Sequence, residues 1–211
     1  MRRLPIEELE KFQGVPFSTA DLKTELSDYT ALKMKMSRLV KEGVLVRLRR
    51  DFFCLGHEYS EKRIEHGVIA NAMYGPSYVS FETALSLYGL IPERTYLTMS
   101  AVIRHGKYFK TPFGPFGYYQ IPEAVWGIGA RVERTANGTY MMANPTKALC
   151  DTLLRKNNLR VTSPKTLRDF LEVDMRFDFD YLGEPDKDVL HTYATCGRKT
   201  GLFTALERMF S

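Results

Sequence analysis

Apolar positions in the first 56 residues recur at helical spacing and then switch to alternation. Ile6, Leu9 and Phe12 share one face, which predicts a short helix over 6–12. Ser18 is a suitable N-cap for a second helix, with Asp21 at the third helical position, and Phe17 and Leu22 have the spacing of a hydrophobic staple. After a turn at 26–28, a third helix is expected over 29–42. Tyr29, Leu32, Met36, Leu39 and Val40 fall on one of its faces, and Thr30, Lys33, Met34, Ser37, Arg38 and Lys41 on the other. Gly43 suits the position after its end. Residues 44–49 then alternate, and Phe52, Phe53, Cys54 and Leu55 read as a return strand after Arg50-Asp51. Three helices followed by a hairpin predict a winged helix-turn-helix over residues 1–56.

Beyond Gly56 and His57, the pattern becomes that of a mixed second domain over 57–211. A helix is expected over 60–73, and a short strand at 78–80 leads into a helix whose Phe81, Ala84, Leu85 and Tyr88 lie on one face. Gly89 ends this helix and Pro92 prevents its resumption. Residues 95–102 are strand-like, two further strands bracket the turn-rich stretch 111–117, and Asn137-Gly138 is a two-residue hairpin signal. Asn144-Pro145 and Ser163-Pro164 each pair an N-cap with a proline at the first helical position. The first of these helices buries Ala148, Leu149 and Leu153, and the second presents Leu167, Phe170 and Leu171. A last helix over 200–210 carries Leu202, Leu206 and Phe210. The expected fold class is α+β: the winged module, then a mixed α/β domain with a predominantly antiparallel sheet, residues 161–211 being a helical extension without a recognised motif.

Charge sharpens the first of these units. Between Lys33 and Arg50, the cations Lys33, Lys35, Arg38, Lys41, Arg47, Arg49 and Arg50 face Glu42 alone, giving +6 in a chain whose net charge is +5. A cationic amphipathic helix is ordinarily a solvated face. Here the charge falls on the two elements that meet DNA in a winged helix, which points to a polyanionic partner. Thr30, Ser37 and Arg38 are the candidates for base contacts, and Lys33, Lys41, Arg47, Arg49 and Arg50 for phosphate contacts. Arg94, Arg104, Lys107 and Lys110 form a second basic group that extends a DNA footprint or meets an acidic partner. A single winged module buries too little for tight specific recognition, so a homodimer or cooperative binding is expected.

Composition excludes other classes. With 211 residues, 44% apolar, 26% charged and 12% aromatic, the chain can build a sizeable core. No apolar run approaches the roughly 20 residues of a membrane span, and the first residues lead into Glu7 and Glu8 instead of a signal core, so a cytoplasmic protein is expected. Cys54, Cys150 and Cys196 lack both disulfide and zinc spacing, and His57, His66, His105 and His191 are scattered. No metal or cofactor is expected. Glu82, Lys147 and Asp151 are the nearest approach to a metal-dependent nuclease. Lys147 and Asp151, four apart on a helix, have instead the spacing of a surface pair. Tyr108, Phe109, Phe113, Phe116, Tyr118 and Tyr119 line a ligand pocket in a third reading, that of a ligand-responsive repressor; an aromatic-rich segment is more often core.

Three stretches carry a resemblance to a known family: 38–43 with the hairpin that follows, 77–93 (SYVSFETALSLYGLIPE), and 143–151 (ANPTKALCD). Together they resemble the AbiEi family of antitoxins of type IV toxin-antitoxin (abortive infection) systems, over about residues 5–160. The resemblance implies a bacterial, phage-defence-associated repressor without catalytic activity. Its partners would be double-stranded operator DNA, as inverted repeats in its own promoter, and a co-encoded nucleotidyltransferase-like toxin that it counters with or without direct contact. Cys150 stands where the family pattern favours an aliphatic residue.

Overall fold

The computed structural model describes residues 6–25, 32–157, 159, 163–196 and 198–211, and the chain is a mixed α+β protein. The first unit opens with a 3-10 helix, Ile6–Phe12, where an ordinary helix turn was expected. A two-residue strand β1 (Phe17–Ser18) runs directly into α1 (Thr19–Glu25). The start of α1 is sealed reciprocally. Asp21 N donates to Ser18 Oγ at 3.2 Å, while the Asp21 carboxylate accepts from the Ser18 amide at 2.6 Å and its hydroxyl at 2.8 Å. Phe17 and Leu22 are both buried, as the staple predicts. Next come α2 (Leu32–Lys41), β2 (Leu45–Arg49) and β3 (Phe52–Leu55). Gly43, at φ +75°, makes the left-handed turn out of α2. The strands form an antiparallel sheet in the order β1-β3-β2.

Period-two alternation gives the β2–β3 hairpin two buried faces. Leu45, Phe53 and Leu55 join Leu9, Phe12, Leu22, Met36 and Leu39 in the core of the first unit. Leu48 and Cys54 belong to the core of the rest of the chain, with Val46 and Phe52 packed against it. The hairpin is therefore a layer shared by two cores rather than an arm projecting into solvent. At the expected boundary, Gly56 N donates to Val44 O at 2.9 Å, and a side chain at Gly56 would run into the Gly43 carbonyl.

In the second unit, α3 (His66–Met73) precedes β4 (Ser77–Val79), α4 (Phe81–Leu87), β5 (Thr98–Val102), β6 (Lys107–Thr111), β7 (Gly114–Gln120), β8 (Ala130–Thr135) and β9 (Gly138–Ala143). The helix expected from residue 60 begins only at 66. The stretch before it buries little apolar surface, and Ser60 Oγ bonds the Lys62 carbonyl instead. The six strands lie in the order β6-β7-β5-β4-β9-β8. Three neighbouring pairs are antiparallel, but β4–β9 and β5–β7 are parallel, so the sheet is mixed. The hairpin turn at 136–137 sits one residue before the expected Asn137-Gly138, since Gly138 already pairs with Thr135.

The two faces of this sheet are covered by different helices. Tyr118 donates to the Ala70 carbonyl of α3 at 2.6 Å. On the opposite face, Tyr78 reaches α5 (Pro145–Arg155), whose N-cap Asn144 accepts from the Lys147 amide at 2.7 Å. The remaining helices are α6 (Pro164–Asp169), which widens into a π turn at Phe170–Asp174, α7 (Lys187–Cys196) and α8 (Thr200–Met209). Ser163 caps α6 through a capping box with Thr166. The described part of 163–211 contributes to the core: Leu167, Leu171, Val189, Tyr193, Phe203 and Leu206 are completely buried. Lys199 Nζ ties α8 back to the end of α5, donating to the carbonyls of Leu153, Leu154 and Lys156 at 3.2, 2.8 and 2.5 Å. Among the described residues, no helix is long and apolar enough to cross a membrane.

Candidate nucleic-acid interface and a buried polar lock

The amphipathic division of α2 is the basis of the candidate interface. Met36 and Leu39 are buried and Val40 half-buried, whereas Lys33, Met34, Ser37, Arg38 and Lys41 are exposed. Each buried aliphatic side chain contributes about 1.5–3 kcal/mol, which anchors one face and fixes which side chains point outward. Arg38 Nε donates to Glu42 at 2.6 Å, with 56% of its side chain still exposed. Such a helical pair is worth only about 0.3–0.5 kcal/mol, less than the roughly 1–3 kcal/mol of a bidentate arginine–guanine contact, so it is displaceable. Ser37 Oγ donates to the Lys33 carbonyl and its oxygen remains exposed as an acceptor. Lys35 is half-buried, turned from the outer face. Thr30 lies outside the described residues.

The three hairpin arginines have different surroundings. Arg50, at the tip beside Asp51, has a 95% exposed side chain and only a loose contact of 3.5 Å to that carboxylate. Arg47 is exposed, with its guanidinium 5.5 Å from the centre of the Phe53 ring. Arg49 is engaged inside the protein. Its Nε donates to the Met73 carbonyl at 2.9 Å, a terminal nitrogen donates to the Arg50 carbonyl, and the group lies 4.7 Å from the centre of the Phe52 ring. Arg49 thus couples the hairpin to the end of α3 and is a positioning residue in this geometry. Periodicity alone could not separate it from Arg47, because the hairpin pairing slips between Arg47 and Arg49.

Arg94, Arg104, Lys107 and Lys110 are all exposed. Lys107 and Lys110 lie on β6, an edge of the six-stranded sheet, and β6 packs near β2. Lys107 Nζ sits 4.7 Å from the centre of the Tyr74 ring. Arg94 lies apart, in the segment after α4.

A separate constellation has no place in the surface reading. The spacing of Lys147 and Asp151 predicts an exposed pair, but both side chains are 0% exposed and 3.4 Å apart. Lys147 Nζ also donates to the Val125 carbonyl at 2.8 Å and to the Tyr193 hydroxyl at 2.7 Å, which uses all three of its protons. Asp151 accepts from Ser80 Oγ at 2.6 Å, Tyr78 at 3.1 Å, and Tyr193. Burial, reinforced by the Asp151 charge, raises both tyrosine hydroxyls far above their ordinary range, so they remain donors. The network joins β4, the start of α4, α5 and α7 in one satisfied buried cluster. Glu82 is not part of it, pairing instead with Arg155 at 3.7 Å and Lys156 at 3.4 Å.

The aromatic segment is core rather than pocket. Phe116 and Tyr118 are buried, Tyr74 and Phe109 each pack edge-on with Tyr118 at 5.2 and 5.8 Å, and of the segment's six aromatics only Tyr108 is largely exposed. Cys54 and Cys150 are buried and Cys196 is exposed. Among the described residues, no three His, Cys, Asp or Glu side chains converge as a metal site would need. No protein-family model and no curated protein matches the chain, so the reading of these surfaces rests on their own residues.

Proposed function

We propose that the chain is a DNA-binding transcriptional regulator, with residues 1–56 forming a winged helix-turn-helix. In this reading, α2 enters the major groove and the β2–β3 hairpin is the wing. The carrying observation is the division of α2: its apolar residues are buried, while Lys33, Ser37, Arg38 and Lys41 form its solvent face. Arg38 and Ser37 read bases, and Lys33, Lys41, Arg47 and Arg50 hold phosphates. Arg49 aligns the wing from behind. Because the hairpin is fixed between two cores, the wing arginines meet DNA in a preset orientation, which lowers the ordering cost of binding.

The wider role we propose is that of an autoregulating antitoxin countering a nucleotidyltransferase-like toxin, and the motif resemblance supports it. Two of the three resembling stretches supply Tyr78, Ser80, Lys147 and Asp151, whose network is architectural. They therefore support kinship of fold, and the function rests on the α2 face. A ligand-responsive repressor is a second reading, favoured by an open cleft beside α3.

Fluorescence anisotropy on duplex DNA from upstream of the chain's own gene, at several salt concentrations, tests the proposal. With four phosphate contacts, the logarithm of affinity falls against the logarithm of salt with a slope of about −3.6. No complex at low salt would refute DNA binding. Co-expression with the adjacent nucleotidyltransferase-like gene separates antitoxin from simple repressor: failure to restore growth removes the antitoxin role alone.

A further inference from the structure

We propose that the cleft between the start of α3 and the end of α4 binds a small phosphate ester with an apolar or ring-shaped body. The cleft encloses about 640 Å³, within the range of sites that hold small organic ligands. Arg63 and Arg94 line it and are exposed, and neither forms an ion pair among the described residues. No Asp or Glu is among the lining residues. Two guanidinium groups with no ion pair among the described residues place positive charge at the rim, with Glu65 and Glu133 acting on His66 and Tyr140 from behind the lining, and their planar forks match a phosphate bidentately.

The wall between them adds a second set of donors. His66 and Gly67, the first residues of α3, line the cleft. The N-cap Glu65 makes no side-chain cap, and its carboxylate accepts instead from Asn137 Nδ2 at 3.1 Å. The first-turn amides of α3 are thus uncapped, at the end of the helix that favours an oxyanion. Gly67 is required there because any side chain would run into the Tyr140 ring, which forms part of the wall. Thr98 Oγ1, 3.4 Å from His66 Nδ1, and Ser86 add hydroxyls. Val79 and Ile91 are buried lining residues, while Leu87 leaves 60% of its surface exposed at the edge, a place for the body of the ligand. The site requires both ends of the ligand: charge at the rim and an apolar surface within.

This site lies outside the surface assigned to DNA, and calorimetric titration of the full chain tests it. The probes are adenosine 5′-monophosphate, adenosine and succinate. Adenosine monophosphate binds at least about tenfold more tightly than the other two, and the Arg63→Ala/Arg94→Ala variant weakens it at least about tenfold, or about 1.4 kcal/mol. The Arg47→Ala/Arg50→Ala variant leaves its binding unchanged. Binding no tighter than that of adenosine or succinate, full binding by the Arg63/Arg94 variant, or loss in the Arg47/Arg50 variant each overturns the proposal. Both replaced pairs are exposed, so circular dichroism should show that the variants remain folded. DNA affinity measured in parallel keeps the two readings separable, since the cleft can bind its ester in a protein that fails to bind DNA.

Discussion

Replacing Lys147 by methionine removes the charge from the buried lock while keeping most of its volume. The cavity contribution is then small, and the loss is electrostatic. In the parent protein, Lys147 and Asp151 are both 0% exposed. Breaking a buried pair by removing one partner costs about 3–5 kcal/mol, because the other charge stays desolvated. Asp151 keeps the hydroxyls of Ser80, Tyr78 and Tyr193, which offset part of that cost, so the lower end, about 3 kcal/mol, is expected. For a chain of this size that corresponds to a fall in Tm of about 6–12 °C. Urea unfolding followed by Trp126 fluorescence suits the measurement, since this is the chain's single tryptophan and its ring lies 4.9 Å from that of Tyr78. Adding Asp151→Asn to Lys147→Met should cost less than the sum of the separate losses, with a coupling of about 0.5–3 kcal/mol. A loss below about 1 kcal/mol for Lys147→Met, or strict additivity in the double variant, would refute the account of a coupled buried pair.

Three further outcomes follow from the geometry. Of the three thiols, only Cys196 should react promptly with a disulfide reagent in the native protein and all three after unfolding, because burial covers Cys54 and Cys150 and pushes the Cys54 thiol up to about 12; three fast native equivalents would contradict this. Arg50→Ala should reduce the salt slope of DNA binding by about 1. Arg49→Ala should instead lower Tm and leave that slope nearly intact; the reverse pattern would overturn their assigned roles. Asp21→Ala should cost about 0.5–1 kcal/mol at neutral pH by removing the carboxylate half of the capping box, while the amide at position 21 still donates to Ser18 Oγ. The Ser18 amide, then its hydroxyl, holds the Asp21 carboxyl below its usual 3.8, so its contribution is present above that value and lost as pH falls through the lower folded one. The difference between variant and parent should therefore narrow as pH falls below 3.8, which paired urea titrations at pH 7 and at acid pH would reveal.

Local signals made much of the first unit legible. The Ser18–Asp21 cap, the Phe17–Leu22 staple, the left-handed Gly43 and the apolar stripe of α2 all act within a turn or two of the chain, so residue order alone specifies them. Asn144-Pro145 and Ser163-Pro164 were legible for the same reason, as cap and first-turn proline act together before any tertiary contact. The same stripe of α2 also identified the exposed candidate residues. By contrast, α7 was not foreseen, since its buried Val189, Leu190, Tyr193 and Ala194 follow a polar, turn-rich approach with no strong cap signal.

Residue order alone determined the capped helix starts at Ser18, Asn144 and Ser163, and which face of α2 collects cations. Only the tertiary structure decided which side chains are free to act. An i,i+4 lysine and aspartate look alike whether water or protein surrounds them; here Tyr78, Ser80, Val125 and Tyr193, brought from 22 to 73 residues away, made that pair a buried lock. Arg49 and Arg50 are neighbours in the chain. Hairpin register and the carbonyl of Met73, 24 residues away, turned one into an internal strut and left the other in solvent. Sheet order was likewise invisible, because strand pairing is settled by which faces bury together and not by the composition of any single strand.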